Sequence, residues 1–265
     1  MSPIESTDAT LLPDERIDEV NEHLRLIQKK NGLTFGTDAY LLAAFIRPQP
    51  SAIAVELGGG TGIISLLLAA KEKLGNVTAV EVQPAFAELI DRNAALNRLS
   101  HKVKALCADL RDLRALDFGK EVDLVFSNPP YMKCDTGKRN ASDEKYIARH
   151  EVCGGIADFC AASSRLLKHG GRFVCVWRPD RLTELFNALR NAKLEPKRMT
   201  LVHADAYAEP SMVLVESVKG GAPSLYISPP LLLYAPLEKG EASRKLTPAA
   251  EEIYQTCNFS GLFPR

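Results

Sequence analysis

The chain has 265 residues, 46% of them apolar, enough to fill a sizeable core in one large α/β domain. Lysine plus arginine and aspartate plus glutamate each number 33, so the net charge is zero and any basic footprint for nucleic acid has to be local. The six cysteines (Cys107, Cys134, Cys153, Cys160, Cys175, Cys257) form no C-x-x-C pair and no Cys/His cluster. That argues against a zinc site and fits reduced core thiols in a cytoplasmic protein.

Residues 1–14 are polar and acidic. They predict a disordered tail and are neither a signal peptide nor a transit peptide. No apolar run approaches the ~20 residues of a membrane span. His23 to Gln28 predicts a strand, Lys29-Lys30-Asn31-Gly32 a turn, and Leu33-Thr34-Phe35 the returning partner of a hairpin. Thr37 or Asp38 can cap a helix over Ala39 to Ile46, which Pro48 and Pro50 end.

A regular alternation follows. The apolar strand Ile53 to Leu57 runs into Gly58-Gly59-Gly60-Thr61-Gly62, after which Ile63, Leu66, Leu67, Ala70 and Leu74 recur at helical spacing. Asn76 to Val82 is a second strand, and Pro84 opens a helix with Phe86, Leu89, Ile90 and Ala94 on one face. Lys102 to Cys107 is a third strand ending near Asp109, and Val122 to Ser127 a fourth. The segment from Met132 to Glu151 is polar and has no core pattern. A helix over Asp158 to Lys168 stops at His169-Gly170-Gly171. A strand from Arg172 to Trp177 and a helix from Pro179 to Asn191 come next. Pro196 to His203 and Met212 to Val218 then read as an antiparallel pair, and Pro248 to Cys257 as a last helix. The pattern predicts a Rossmann-like α/β fold: a seven-stranded, mostly parallel sheet with an antiparallel last strand and a small N-terminal hairpin. Residues 15–265 form one domain, in which 15–50 are the hairpin and the helix after it.

Glu56, Gly58, Gly60 and Gly62 lie in a strand-to-helix loop where glycines let the backbone approach a ligand. Glu56 is an acid inside an apolar strand and needs a cationic ligand or backbone donors. Glu81 ends the second strand about 20 residues further on, where a carboxylate can grip a ribose. Asp109 can accept from an adenine amino group. The spacing fits a dinucleotide fingerprint poorly, and no Gly-Lys-Ser/Thr follows as in a P-loop. Both failures favour a nucleoside without a pyrophosphate, such as S-adenosylmethionine. The fourth strand stops at Asn128-Pro129-Pro130-Tyr131. Two prolines remove two backbone donors and leave an amide and a ring on a stiff turn at the strand's carboxyl end.

In this order, Glu56 to Gly62, Glu81, Asp109 and Asn128 to Tyr131 resemble the class I S-adenosylmethionine-dependent methyltransferases that act on exocyclic amines. With Gln28, Phe35 to Ala43, Ala148-Arg149-His150-Glu151, Pro229-Pro230-Leu231 and Glu252-Ile253-Tyr254, the chain more narrowly resembles the bacterial tRNA1(Val) (adenine-37-N6)-methyltransferase family. Glu56 stands where aspartate is commoner. The resemblance implies N6-methylation of an adenine in the tRNA anticodon stem-loop by a monomer, with no metal and no membrane. It implies a cofactor site of Thr37, Asp38, Glu56, Gly58, Gly60, Gly62, Glu81, Val82, Asp109, Leu110 and Asn128. Asn128 and the Pro129 carbonyl would each accept one amine N–H, Pro130 would stiffen the turn, and Tyr131 would stack on the extruded base. Lys133, Arg149 and His150 would meet RNA from a lid over 132–151, with Lys29-Lys30 as a second contact.

The glutamine methyltransferase of release factors also uses NPPY, and its amide has the same two N–H groups. That family carries a sizeable helical domain before the glycine loop, where this chain has only about 50 residues. DNA adenine methyltransferases share the motif, but no separate target-recognition domain is evident. A guanine-N2 enzyme would more often carry Phe at the position of Tyr131. A non-catalytic S-adenosylmethionine-binding RNA-binding protein would have no need of the amine acceptors.

Overall fold

The computed structural model describes residues 11–22, 24–30, 36–130, 154–236 and 244–259. Strands β1 (Glu15–Asn21) and β2 (Leu24–Lys29) form an antiparallel hairpin, and helix α1 (Thr37–Phe45) follows. The chain then alternates through β3 (Ile53–Leu57), α2 (Ile63–Ala70), β4 (Asn76–Glu81), α3 (Pro84–Leu96), β5 (Val103–Cys107) and β6 (Val122–Ser127). After the undescribed segment come α4 (Ile156–Leu166), β7 (Leu167–Trp177), α5 (Leu182–Asn191), β8 (Leu194–His203) and β9 (Pro210–Lys219). Short strands β10 (Tyr226–Ile227) and β11 (Leu231–Leu232) precede helix α6 (Pro248–Thr256).

The main sheet has the order β10-β8-β9-β7-β6-β3-β4-β5, with β11 also pairing β8. Strands β3 to β7 pair in parallel, and β9 runs antiparallel to both β7 and β8. The expected mostly parallel sheet with an antiparallel last strand is therefore present. The strands β10 and β11 extend its edge, and two residues are too few to carry an alternating pattern. From β3 the chain steps outward through β4 to β5, and from β6 it steps the other way to β7. The carboxyl ends of β3 and β6 thus flank the crevice where the winding reverses, which is where open α/β sheets bind ligands.

Side chains alternate along the strands. Ala54, Leu124, Phe126, Val174 and Val176 face one core layer with α1, α2 and α6. Val55, Leu57, Val125, Phe173 and Cys175 face the other with α4 and α5. Cys160, Cys175 and Cys257 are buried free thiols, as expected, whereas Cys107 is exposed. Burial pushes the Cys160 thiol up to about 12. Among the described residues no helix is long and apolar enough to cross a membrane.

A hairpin is present: β2 pairs with the upstream strand β1, Ile27 opposite Ile17 and Lys29 opposite Glu15. The downstream partner that Asn31-Gly32 predicts, Leu33 to Phe35, cannot be compared with it, because residues 31–35 lie outside the described residues. Glu15 anchors the observed pairing. It is buried, 3% exposed, and both carboxylate oxygens accept from Arg92 of α3 at 2.8 and 2.7 Å. That guanidinium, helped by the Leu12 N–H, holds the Glu15 carboxyl down at about 2.

Helix α1 has no polar face. Every residue from Ala39 to Phe45 is buried, so α1 lies inside the domain. Its last carbonyls therefore need buried donors. Lys73, 2% exposed, donates to the Ala43 and Ala44 carbonyls at 2.8 and 3.0 Å and to the Cys257 carbonyl at 2.9 Å. Arg198 donates to the Phe45 carbonyl at 2.7 Å and pairs with Glu216 at 2.8 Å, its guanidinium 3.9 Å over the Phe45 ring. Two cations at the negative end of a helix dipole suit it electrostatically, though burial pushes the Lys73 ammonium down to about 8. Lys73→Met removes the donor to three buried carbonyls. Urea unfolding should show a loss of about 3 kcal/mol.

Candidate active site

Ser127 at the end of β6 donates from Oγ to the Leu57 carbonyl at the end of β3 (2.7 Å), tying the two crevice strands together. The loop leaving β3 is turned by three left-handed glycines: Gly58, Gly60 and Gly62 have φ of 74°, 54° and 82°. Gly58 and Gly59 both donate to the Val80 carbonyl at 2.9 Å, fastening the loop to β4. A Cβ on Gly59 would come within 2.9 Å of Ile90 in α3, so this glycine is needed for packing. A Cβ on Gly60 would meet nothing within 4 Å, so the backbone here faces open space from which a ligand can approach.

Glu56, 1% exposed, finds its expected backbone donor. Its Oε2 accepts the Ser65 N–H of α2 at 3.2 Å and the Ser65 hydroxyl. Burial nevertheless pushes its carboxyl up to about 8, with the charge of nearby Glu81 adding to the rise. Glu81 also grips backbone. Oε2 accepts from Gly60 N and Oε1 from Gln83 N, both at 3.0 Å, so one carboxylate joins the glycine loop to the start of α3. Val82 follows it, half-buried. Asp109, past the end of β5, is chelated by the Arg111 guanidinium, which holds its carboxyl below the usual range. The neighbouring Leu110 is buried.

Asn128 leaves β6 half-buried, followed by buried Pro129 and half-buried Pro130. Its Nδ2 donates to Asp38 Oδ2 at 2.8 Å. Helix α1 starts one residue earlier, at Thr37 after Gly36, and the other Asp38 oxygen accepts the Ala39 N–H at 2.9 Å. Thr37 and Gly36 line a cavity of ≈ 400 Å³ with Val20, Asn21, Tyr40 and Tyr254. The structure therefore gathers the glycine loop, Glu81, Asp109, Asn128 and the start of α1 at the carboxyl edge of the sheet. Tyr131, Lys133, Arg149, His150 and the polar segment 132–151 lie outside the described residues. Among those described, no cluster of His, Cys, Asp and Glu could hold a metal.

Two supporting residues escape the sequence patterns. Buried Asn93 of α3 donates to the Thr61 carbonyl at 2.9 Å and exchanges hydrogen bonds with both backbone groups of Ile27, so it binds the hairpin to the glycine loop. The available signal is an amide on an otherwise apolar helix face beside Leu89 and Ile90. Arg165 of α4 donates to the carbonyls of Leu110, Arg111 and Leu113, shaping the loop after β5. It falls in the last turn of its helix, where a basic residue is unremarkable.

The strand order and the loop define a class I methyltransferase, and the Methyltransferase small domain profile matches residues 30–197. A tRNA1(Val) (adenine(37)-N6)-methyltransferase of Porphyromonas gingivalis (strain ATCC 33277) is 31% identical over 188 residues, 68% of this chain and 72% of that protein. One from Flavobacteriaceae bacterium (strain 3519-10) is 29% identical, covering 71% and 78%. The chain belongs to the tRNA1(Val) (adenine(37)-N6)-methyltransferase family within the methyltransferase small domain group. Among solved structures, a predicted O-methyltransferase, protein Atu636 from Agrobacterium tumefaciens, superposes with a TM-score of 0.66 at 24% identity, over 84% of this chain and 97% of that one. Methanocaldococcus jannaschii Trm5 in complex with adenosine gives 0.52 at 14% identity, over 79% and 56%. At these identities the likeness concerns the fold.

The raised Glu56 carboxyl has a consequence for stability. A group that holds its proton more tightly when folded stabilises the fold fully below its ordinary value of 4.5, and that contribution is lost as pH rises through about 8. The melting temperature of the wild type should fall between about pH 5 and 8. Glu56→Gln, which keeps an oxygen for Ser65, should flatten that dependence in a thermal-shift series across the same window.

Proposed function

We propose that the protein is a cytoplasmic, monomeric enzyme that uses S-adenosylmethionine to methylate N6 of an adenine in RNA. A37 of tRNA(Val) is the nucleotide indicated by its relatives' names. The observation that carries this is the Asn128-Pro129-Pro130 turn at the end of β6, tied through Ser127 to the strand that leads into the glycine loop. An amine acceptor and a nucleoside cradle thus share one crevice.

The residues fit the cofactor. Gly60 presents open backbone, and the carboxylates of Glu81 and Asp109 stand at the end of β4 and beyond the end of β5. Each Glu81 oxygen accepts one N–H here, and a carboxylate oxygen has a second lone pair for a ribose hydroxyl. When bound, the sulfonium supplies an activated methyl group. The chain's task is then position. An adenine amine is a poor nucleophile because its lone pair is delocalised into the ring. The Asn128 side-chain oxygen and the Pro129 carbonyl each accept one N–H, favouring a tetrahedral nitrogen whose lone pair faces the methyl group. With the cofactor bound, the amine nitrogen would gain the methyl group as the carbon–sulfur bond breaks, and the proton that the nitrogen sheds would pass to water. Tyr131 stacks on the extruded base, and Lys133, Arg149 and His150 meet the RNA backbone.

Mass spectrometry of nucleosides from tRNA incubated with enzyme and cofactor should show new N6-methyladenosine, and its absence would end this reading. Asn128→Ala should lower turnover about 100-fold, on the scale of losing one transition-state hydrogen-bonding group, with cofactor affinity little changed by calorimetry.

A further inference from the structure

We infer that Asp38 is a positioning residue for Asn128, setting which end of the amide faces the substrate amine. This rests on the amine-methylation reading above. The Asn128 amide is planar, with a donor on one branch and an acceptor on the other. The two orientations are nearly equal in shape and opposite in chemistry. With the oxygen toward the substrate, the amide accepts an N–H of the amine. With the nitrogen there, donor faces donor and the amine is pushed out of line. The choice is made from α1: a carboxylate is an acceptor, so Asp38 Oδ2 takes the amide nitrogen at 2.8 Å and leaves Oδ1 on the opposite branch.

Aspartate suits this position for a second reason. Its two oxygens serve two donors, Oδ1 holding the Ala39 N–H at 2.9 Å and Oδ2 holding Asn128. An asparagine has one acceptor for both, and its NH₂ would then meet a donor. The carboxylate is also held firmly. It belongs to the first turn of a helix that is buried from Ala39 to Phe45 and whose far end is fixed by Lys73 and Arg198. The orientation of the amide is thus anchored in the core rather than in a mobile surface contact.

A double-mutant cycle tests this with Asp38→Ala, Asn128→Ala and the pair, and with Asp38→Asn as a variant of nearly unchanged volume. Single-turnover methyl transfer to tRNA and cofactor affinity are both measured. Asp38→Ala should slow transfer at saturating cofactor about 10- to 100-fold, the scale of a misplaced reacting group, a loss larger than any fall in cofactor affinity. Asp38→Asn should recover only part of the rate. On the Asn128→Ala background, Asp38→Ala should add less than about 3-fold, because its effect has already been removed. Multiplying losses, a proportional drop in cofactor affinity, or a wild-type rate in Asp38→Ala would each overturn the inference. If the wild type transfers no methyl to tRNA, the substrate reading fails, and the same four proteins then decide the contact by thermal unfolding. Non-additive melting temperatures would keep the Asp38–Asn128 link, and additive ones would remove it.

Discussion

Helix α1 is the constraint on which the site depends. It carries no polar stripe, so burial is its only stable placement, and burial obliges the protein to satisfy both of its ends. At the carboxyl end the answer is two cations taken out of water, Lys73 on the loop after α2 and Arg198 on β8. Each is costly to bury alone. Each also donates to carbonyls that would be costly to leave bare, and Arg198 is further compensated by Glu216. At the amino end the answer is Asp38, whose carboxylate satisfies the Ala39 N–H and reaches the turn after β6. The helix thus transmits the rigidity of the core to one side chain of the crevice.

The glycine loop follows the same logic with the charges reversed. Glu56 and Glu81 carry acid into places where the local partners are backbone N–H groups: Ser65 for one, Gly60 and Gln83 for the other. Their closeness to each other raises the Glu56 carboxyl, and burial raises it more. These bonds keep the loop in shape before a ligand arrives, because three positive-φ glycines alone would leave it conformationally free. Asn93 adds a further tie through the Thr61 carbonyl and extends it to the hairpin. The hairpin, far from the Asn-Pro-Pro turn in sequence, becomes part of the support of the glycine loop.

The alternation of strand and helix was legible because apolar periodicity survives wherever one face of an element is buried. The glycine loop, Glu81, Asp109 and the Asn-Pro-Pro stop were legible because each breaks that periodicity at a strand's carboxyl end. The pairing of β1 with β2 was not. Asn31-Gly32 is a strong local turn signal, but Glu15 gains a bidentate Arg92 partner 77 residues away, and a local pattern cannot show a contact of that range. The start of α1 was read one or two residues late for a related reason. Gly36 has no side chain with which to cap, so Asp38 suggests a cap from the outside while serving from within the first turn. Asp38 itself was visible as a site residue through family resemblance, whereas its bond to Asn128, 90 residues on, belongs to tertiary structure alone.

Amine methylation makes unusual use of such an arrangement. Many active sites spend their buried charges on moving protons, and their carboxylates are tuned for it. Here the methyl donor would arrive activated and the nucleophile needs alignment more than deprotonation. The acids are accordingly committed to holding geometry. Glu56 holds the helix start, Glu81 the loop, Asp109 the turn stiffened by Arg111, and Asp38 the amide. Each oxygen that accepts from the protein removes a degree of freedom from the crevice, and on the proposed reading the acceptor for the substrate amine would be a neutral amide oxygen. A neutral acceptor can bind an uncharged amine without drawing off its proton prematurely, and its weakness is that an amide can turn over. The carboxylate on α1 answers that weakness with the one chemical property an amide cannot supply itself, an acceptor fixed on both oxygens.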